Sequence, residues 1–436
     1  MNSKIAVFAV VMILVVVSVG AAFTVMQNND QNDNIKPTGR LVVYGNSNND
    51  DYLDERDLTM IKSIVSGDAE WDKEINPFAD VNVDGKVNSD DVSHLEKILK
   101  KEKCKMYYLD VWGETSTVHY PITGSIGTMY WEQADLAILL GIWNRVTACG
   151  SVSLTEDKNP GWTSKFSLGR GYNTEPETVL SSGVSAVIAY TASDGSAHDL
   201  KKFMEGSGAE VDILAPPNAD KLMSVITCGV LLSCEEKAQK YVNKCDEVME
   251  YAMEKLSKYT PGNSPSLMPF IIYVTSTPGE LPVLGSGSTG APNGLFSYLS
   301  KTPSKLVLPN NSQTYYTTVT AEWVDSQNPD YIVIAASGVY AADLNDKGVQ
   351  EAFESMCERL FGGTEAYKNG RIIATANGTM GSYFAGFAFL SLIAPLFDEI
   401  DKAYAKQVWD SWVGDGYAYY TFDQMPSYKI RVLADA

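Results

Sequence analysis

Two short segments place oxygen-bearing side chains at alternate positions, a pattern that can bind a hard cation. The second segment begins at Asp80, with Gly85 at position 6 to permit a sharp turn and the Lys86 carbonyl at position 7. The first begins about 34 residues earlier, with the Tyr52 carbonyl at position 7. Because Ca²⁺ takes about six to eight oxygen ligands, this spacing predicts two calcium sites. The side-chain ligands at positions 1, 3, 5, 9 and 12 are Asn46, Asn48, Asp50, Asp54 and Asp57 in the first loop and Asp80, Asn82, Asp84, Asn88 and Asp91 in the second.

Each calcium loop leads into a segment whose apolar residues recur every three or four positions, as in an amphipathic helix. Position 12 is Asp in both loops, in place of the bidentate Glu of a full EF-hand. These paired loop–helix units resemble a type I dockerin over residues 41–103. The resemblance implies calcium-dependent folding, with either a cohesin-like partner or a role as a calcium-stapled spacer that has no partner. The first loop has Asp51 where glycine is preferred, which predicts a more strained turn.

The composition excludes several other kinds of chemistry. The chain has 436 residues, 45% of them apolar, and a net charge of −20. This charge repels phosphate backbones, so we expect no nucleic-acid partner. Three scattered histidines disfavour a His-rich zinc site and a His-based catalytic triad. The six cysteines form no Cys-x-x-Cys motif, which is consistent with free thiols or with a disulfide of unknown pairing.

The N-terminal segment has the length of a membrane span. The 22 residues from Ile5 to Met26 carry no charge, and as a helix they would cross the hydrocarbon core of a bilayer. We interpret residues 1–26 as a signal anchor in preference to a cleaved signal, and residues 27–40 as a flexible tether. Lys4 favours an N-terminus inside the cell. The expected location is therefore the cell membrane, with a single span and the bulk of the chain extracytoplasmic.

The rest of the chain alternates short β-rich runs with helical ones, which indicates an α/β architecture with parallel sheets. One pattern occurs twice: Glu177 and Glu322 each precede, by ten positions, an apolar run typical of a buried strand. We therefore expect two similar lobes, at residues 106–219 and 262–436. Residues 220–261 form a linking helical segment, in which a helix from Glu235 to Lys258 would join the lobes rigidly.

Several short motifs, in the same order, resemble class III substrate-binding proteins of ABC importers, which capture siderophores, haem and vitamin B12. Asp110 and Gly113 match the Asp-x-x-Gly hairpin with which that family begins. The segment ADLAILLGIWNRVTACG resembles its first helix, closed by Gly141, and YKNGRIIATANGTMGS resembles its late C-lobe strand. The resemblance covers residues 106–435 and implies two α/β lobes joined by one long helix.

The resemblance implies a binding cleft lined by the loops that follow the strands. These loops are rich in glycine and in aromatic rings suited to a large ring or chelate, and Arg170 could pair with an anionic ligand. For each aromatic residue, ordinary packing is the alternative. The predicted ligand-binding residues are Tyr130, Trp131, Trp162, Arg170, Tyr172, Tyr190, Tyr340 and Tyr383.

In the same family, one surface glutamate per lobe meets arginines of the membrane permease, which here implies Glu177 and Glu322. The alternative is a carboxylate that interacts with the dipole of a helix N-terminus. The leading interpretation is thus a membrane-tethered binding protein, not an enzyme, that delivers an iron chelate or a corrinoid to an ABC permease. The alternative is a dockerin-bearing extracellular enzyme or scaffold component that acts on glycans.

Overall fold

The structure is a computed structural model. In it, the chain forms two compact units. The first comprises the described residues up to 217 together with 222–242, and the second comprises residue 221 and the described residues from 243 onward. The described residues are 38–73, 76–151, 154, 156, 159–171, 173–191, 196–217, 221–260, 262–273, 281–284, 302–309, 316–337, 347–376, 383, 386, 389–390, 393–394 and 396–414.

The first unit begins with the two loop–helix repeats. Helix α1 (Glu55–Ser66) follows the first loop and helix α2 (Ser89–Leu99) follows the second, each beginning after an N-cap residue that takes part in a capping box. Leu58 and Ile61 of α1 are buried, as are Leu95 and Ile98 of α2. The predicted all-α module is therefore present, and the two amphipathic helices bury the apolar faces that their sequences indicate.

The module packs against a β-hairpin of strands β1 (Cys104–Leu109) and β2 (Thr115–Tyr120). Val43 forms an isolated antiparallel bridge with Tyr108, and the Leu109 amide donates to the Val42 carbonyl at 2.9 Å. Val42 also lies in one buried apolar cluster with Phe78 and Met223. Main-chain hydrogen bonds and a shared core thus join the module to the lobe that follows it.

The rest of the first unit is a parallel sheet of five described strands, in the order β5-β4-β3-β6-β7. All three residues of β6, Ala-Val-Ile, are buried, as expected for a strand covered on both faces. The elements are β3 (Ile126–Thr128), α3 (Trp131–Leu139), β4 (Val146–Cys149), β5 (Phe166–Ser167), α4 (Pro176–Ser182), β6 (Ala186–Ile188), α5 (Ser196–Ser207) and β7 (Asp212–Leu214).

Two helices follow, α6 (Lys221–Leu231) and α7 (Glu235–Lys255). Ser233 adopts a left-handed conformation with φ of 58°, which separates the two helices inside the segment expected to be helical. Helix α7 begins at Glu235 as predicted, contains 21 residues and is therefore about 30 Å long. The division between the two compact units falls within this helix.

The second unit contains a mixed sheet in the order β11-β9-β8-β12-β13, with β10 paired to β8. Strands β8, β12, β13 and β10 pair in parallel, whereas β9 and β11 pair antiparallel. The elements are β8 (Ser266–Tyr273), β9 (Leu281–Leu284), β10 (Lys305–Leu306), β11 (Tyr316–Val319), α8 (Ala321–Gln327), β12 (Tyr331–Ser337), α9 (Lys347–Phe361), α10 (Glu365–Lys368), β13 (Ile372–Ala376) and α11 (Lys402–Gly414).

The predicted helix–strand repeat is present in both units. Helix α4 precedes β6 in the first unit and helix α8 precedes β12 in the second, each helix being seven residues long. No disulfide bond links the six cysteines, all of which lie in the described ranges. Among the helices of the described residues, none is long and apolar enough to cross a membrane. The apolar run 5–26 lies outside the described residues.

Candidate functional site

The carboxyl edge of the first sheet is built by close main-chain contacts. A Cβ atom placed on Gly150 or on Gly171 would collide with the Met129 carbonyl oxygen, and Gly171 also has a positive φ of 91°. Glycine is therefore required at both positions, because it alone permits this approach of three loops. The loops after β3, β4 and β5 consequently meet at one point of the edge, where ligands of open parallel sheets bind.

Three of the predicted aromatic residues come together at this edge. Tyr130 follows β3, Trp131 opens α3, and Tyr190 follows β6. The Tyr130 ring centre lies 4.4 Å from that of Tyr190 and 5.9 Å from that of Trp131. All three side chains are partly buried, so they combine packing with an accessible surface. Such a cluster offers flat apolar faces with polar tips to a bound ring system.

Trp162 and Arg170 belong to the connections that flank β5: Trp162 begins a short 3-10 helix before this strand, and Arg170 follows it. Trp162 and Trp131 pack, partly buried, against the buried group formed by Ala134, Cys149 and Leu154. The alternative of ordinary packing therefore describes part of the role of both tryptophans. Arg170 is exposed, in the loop after β5.

The remaining predicted ligand residues belong to loops that the structure describes only in part. Tyr172 and Tyr340 lie outside the described residues. Tyr383 is only 4% exposed, and the Lys221 ammonium lies 4.9 Å from the centre of its ring. Lys221 and Tyr383 both belong to the second unit.

A polar cluster that the sequence did not reveal lies at the end of the β1–β2 hairpin. Lys201 of α5 and Asp110 are both buried, and the Lys201 Nζ atom lies 2.7 Å from an Asp110 oxygen. Burial opposes the charge of Lys201, but the hydrogen bond and charge of Asp110 outweigh it, so the pKa of Lys201 is raised. Asp110 also accepts hydrogen bonds from the amides of Trp112 and Glu114, which fixes the hairpin turn.

His198 extends this cluster toward the sheet edge. Its ring stacks on Trp112 with 4.4 Å between the centres, and its Nε2 atom lies 3.0 Å from Glu114. This hydrogen bond is the main reason that the pKa of Glu114 is lowered. The Val111 amide donates to the carbonyl of Ala215, the residue after β7. The hairpin turn therefore lies beside the carboxyl edge, and only the Asp-x-x-Gly motif gave a sequence signal for it.

Glu177 and Glu322 occupy equivalent places in the two units. Both are exposed and lie in the first turn of their helices, α4 and α8. The pKa of Glu322 is lowered by a hydrogen bond from its own amide and by one from the Thr320 side chain. The interaction with a helix N-terminus is therefore real for Glu322, and its exposure leaves the carboxylate open to a partner as well.

The two calcium loops have the same pattern of main-chain hydrogen bonds to the carboxylate at position 12. Asp57 accepts hydrogen bonds from the amides of Asn48 and Asp54, at 3.2 and 2.9 Å. At the equivalent place in the second loop, Asp91 accepts from the amides of Asn82 and Asn88, also at 3.2 and 2.9 Å. The position 12 carboxylate thus ties the loop to the start of its helix in both copies.

The second loop has a donor set that fits calcium. Asp80 accepts hydrogen bonds from the amides of Asp84 and Gly85, which holds its carboxylate at the centre of the loop. Gly85 has a φ of 90°, so the sharp turn at position 6 is made by glycine. No group of three or more His, Cys, Asp or Glu side chains in the described residues forms a compact metal cluster. Calcium there would also need the Asn82 amide oxygen and the Lys86 carbonyl, which are ligand types that Ca²⁺ accepts.

The first loop fits calcium less well. Asn46 is fully buried, and its Nδ2 group donates to the carbonyls of Leu41 and Asp50. Its Oδ1 atom is buried without a protein hydrogen-bond partner and remains able to bind a metal or a water. The expected strain at Asp51 is wrong, because no left-handed residue occurs there; position 4, Asn49, has the positive φ of 57°. Asp51 instead binds Arg40, which also neutralises it.

Comparisons with known proteins agree with both resemblances. A family model described as periplasmic binding protein matches residues 126–378, and the type I dockerin model matches residues 44–100. No curated protein matches the sequence.

The chain shares the fold of one solved ABC-transporter solute-binding protein and is similar to two further solved structures. A solute-binding protein from Sulfurospirillum deleyianum is 13% identical, with 72% of this chain and 94% of that chain covered and a TM-score of 0.50. A substrate-binding protein from Listeria monocytogenes is 18% identical, with 63% and 99% covered and a TM-score of 0.47. A periplasmic haem-binding protein from Pseudomonas aeruginosa is 15% identical, with 64% and 94% covered and a TM-score of 0.46.

Proposed function

Because the chain belongs to the periplasmic binding protein family, we propose that it captures an iron chelate, haem or a corrinoid and delivers it to an ABC permease. The family and the structural matches are solute-binding proteins, so the chain is a binding protein and not an enzyme. The alternative of a glycan-active enzyme finds no support in these matches. The finer part of the proposal, the class of ligand, rests on the aromatic cluster of Tyr130, Trp131 and Tyr190.

The aromatic cluster favours a large conjugated or chelating ligand. The ring centres of Tyr190 and Trp131 both lie within 6 Å of that of Tyr130 at the carboxyl edge of the sheet, and each of the three side chains combines an aromatic face with one polar atom. Arg170, exposed on a neighbouring loop, supplies a cation for a carboxylate or another anionic group. A small sugar or amino acid would need more hydrogen-bonding groups and less apolar surface.

Tryptophan fluorescence tests the ligand class directly, since Trp131 belongs to the cluster. The full chain is titrated with haemin, cobinamide and a set of ferric siderophores, and we expect saturable quenching by one of these classes. A chain that is quenched by none of them but hydrolyses polysaccharides would contradict the proposal. A folded state, shown by circular dichroism before each titration, makes a negative result meaningful.

In this proposal, Glu177 and Glu322 contact the permease during delivery of the ligand. Both carboxylates are exposed at equivalent places of the two units, which supports paired contacts with arginines of a permease. In this proposal, replacing both by alanine leaves ligand affinity unchanged and abolishes uptake in cells. Loss of ligand affinity in the double variant would contradict this role.

The N-terminal run and the dockerin module complete the proposal. Ile5–Met26 holds the chain at the cell membrane with the bulk outside, and the dockerin module binds a cohesin-like protein. Fractionation of cells that express the full chain, compared with a chain that begins at residue 27, tests the anchor. Pull-down with a panel of cohesins, with and without a calcium chelator, tests the partner.

A further inference from the structure

The two calcium loops differ most in charge at position 11, which is the second residue after the N-cap of the helix. In the first loop this residue is Arg56, and in the second it is Asp90. The charge beside the metal ligands therefore has opposite signs in the two copies. Since calcium affinity depends on the net charge of the loop, this difference affects the two sites in opposite directions.

Arg56 makes direct contact with calcium-ligand positions of its own loop. Its Nη1 atom lies 3.0 Å from Asp50 Oδ2, at position 5. Its Nε and Nη2 atoms bind the two oxygens of Asp54, at position 9, with distances of 3.0 and 2.8 Å. The guanidinium also lies 5.3 Å from the centre of the Tyr52 ring, at position 7. One cation of the chain thus bridges the carboxylates of positions 5 and 9 and lies over the ring of the residue at position 7.

The contacts of Arg56 engage carboxylates that would otherwise face a metal ion. Asp50 is only 3% exposed, and its two oxygens accept hydrogen bonds from the Tyr52 amide and from the Asn48 side chain in addition to Arg56. In the second loop, Asp84 accepts a hydrogen bond from the Lys86 amide. Among the described residues, no arginine or lysine forms an ion pair with Asp84 as Arg56 does with Asp50. Position 5 is therefore neutralised by the protein in the first loop only.

Position 1 strengthens the contrast between the loops. It is neutral Asn46 in the first loop and charged Asp80 in the second. The lone Oδ1 atom of Asn46 leaves the first loop one buried ligand oxygen, so calcium can still bind there. Its affinity is reduced, because a divalent ion must be added within a few ångströms of a fixed guanidinium.

We propose that Arg56 serves as a built-in cation of the first loop, so that the chain binds one Ca²⁺ tightly in the second loop and a second Ca²⁺ only weakly. The first repeat keeps its folded frame through Arg56 and through the Asp57 hydrogen bonds. Tight calcium binding, and folding that depends on it, are then properties of the second repeat.

Calorimetric titration of the calcium-free full chain with CaCl₂ tests the proposal. We expect one tight binding event and a second event weaker by about tenfold or more. Arg56→Gln should strengthen the weak event toward the tight one. Lys62→Gln removes a positive charge from the same helix, where Lys62 pairs with Glu96 on the neighbouring helix, and it should leave the weak event unchanged. Two events of equal affinity in the unaltered chain would overturn the proposal, as would an Arg56→Gln chain with an unchanged weak event.

A second pair of variants decides the question without altering Arg56. Asp84→Asn changes position 5 of the second loop, and Asp50→Asn changes position 5 of the first. The proposal expects Asp84→Asn to abolish tight binding and Asp50→Asn to preserve it. If Asp50→Asn removes a tight event, or if tight binding survives in Asp84→Asn, the assignment of the strong site to the second loop is wrong.

Discussion

The Lys201 ammonium lies 2.7 Å from the Asp110 carboxylate, and both side chains are at most 5% exposed. The two residues are 91 positions apart in sequence, so this ion pair fastens the β1–β2 hairpin to helix α5. The other oxygen of Asp110 accepts hydrogen bonds from main-chain amides of the hairpin turn. The pair therefore fixes the position of the turn beside the carboxyl edge of the sheet.

Lys201→Met should destabilise the protein by about 3–5 kcal/mol, because it leaves the buried Asp110 charge without its partner. Urea unfolding, followed by circular dichroism, measures the change in the free energy of unfolding. Lys202→Met is the matched control, since the Lys202 side chain is exposed one position away. Equal stability of the two variants would show that the ion pair adds nothing to the fold.

Acid should weaken the same cluster through Glu114. The hydrogen bond from His198 is the chief cause of the lowered pKa of Glu114, whose ordinary value is 4.5. A carboxylate with a lowered pKa stabilises the fold above its ordinary pKa, and this stability is lost as the pH falls through the folded value. We expect Glu114→Gln to reduce the fall in melting temperature below about pH 4.5. If the melting temperature falls equally steeply with pH in the unaltered chain and in Glu114→Gln, Glu114 is not the origin of the acid sensitivity.

Gly171→Ala should destabilise the first unit more than Gly169→Ala does. Both glycines have positive φ, but an added Cβ meets open space at Gly169 and collides with the Met129 carbonyl at Gly171. Gly169→Ala, the control, therefore measures the cost of the backbone strain alone. The difference in the free energy of unfolding between the two variants measures the cost of the collision between the loops. We expect that difference to be at least about 2 kcal/mol in urea unfolding.

Local patterns predicted the elements of this protein well. Alternate oxygen ligands located both loops, and the helix after Ser233 begins at Glu235 as expected. The Lys201–Asp110 pair was not predictable, because its partners meet only through the packing of α5 on the hairpin. The expected strain at Asp51 was wrong, since Asp51 is not left-handed; both loops have a positive φ at position 4, in Asn49 and Val83, and only the second loop has one at position 6, in Gly85. Sequence spacing indicated neither this difference nor the contacts of Arg40 with Asp51 and of Arg56 with Asp50.

Tyr130→Ala should weaken ligand binding by about tenfold or more, since it removes the ring at the centre of the aromatic cluster. The ring centres of Tyr190 and Trp131 lie 4.4 and 5.9 Å from that of Tyr130. Tyr130→Phe is the control, because it keeps the aromatic face and loses only the hydroxyl. Fluorescence titration with the ligand found for the unaltered chain gives the dissociation constants. Unchanged affinity in Tyr130→Ala would place the ligand elsewhere.

Phe78→Ala should destabilise the dockerin-like module and the first lobe together. Phe78 is 7% exposed and shares a buried cluster with Val42 of the module and Met223 of helix α6. Removing a buried phenylalanine side chain costs about 3–5 kcal/mol. Phe203→Ala is the control, because Phe203 is 42% exposed on helix α5 and its loss should cost little.

The Phe78–Met223 contact itself is measured by a double-mutant cycle in the full chain. If the module packs on the lobe through this cluster, the costs of Phe78→Ala and Met223→Ala should be non-additive by about 0.5–3 kcal/mol. The coupling should persist when calcium is chelated only if the main-chain bridge between Val43 and Tyr108 survives without the metal. Additive costs in the presence of calcium would mean that the module and the lobe unfold independently. We expect coupling instead, because the two share a buried core and because Val42 and Tyr44 form main-chain hydrogen bonds with β1.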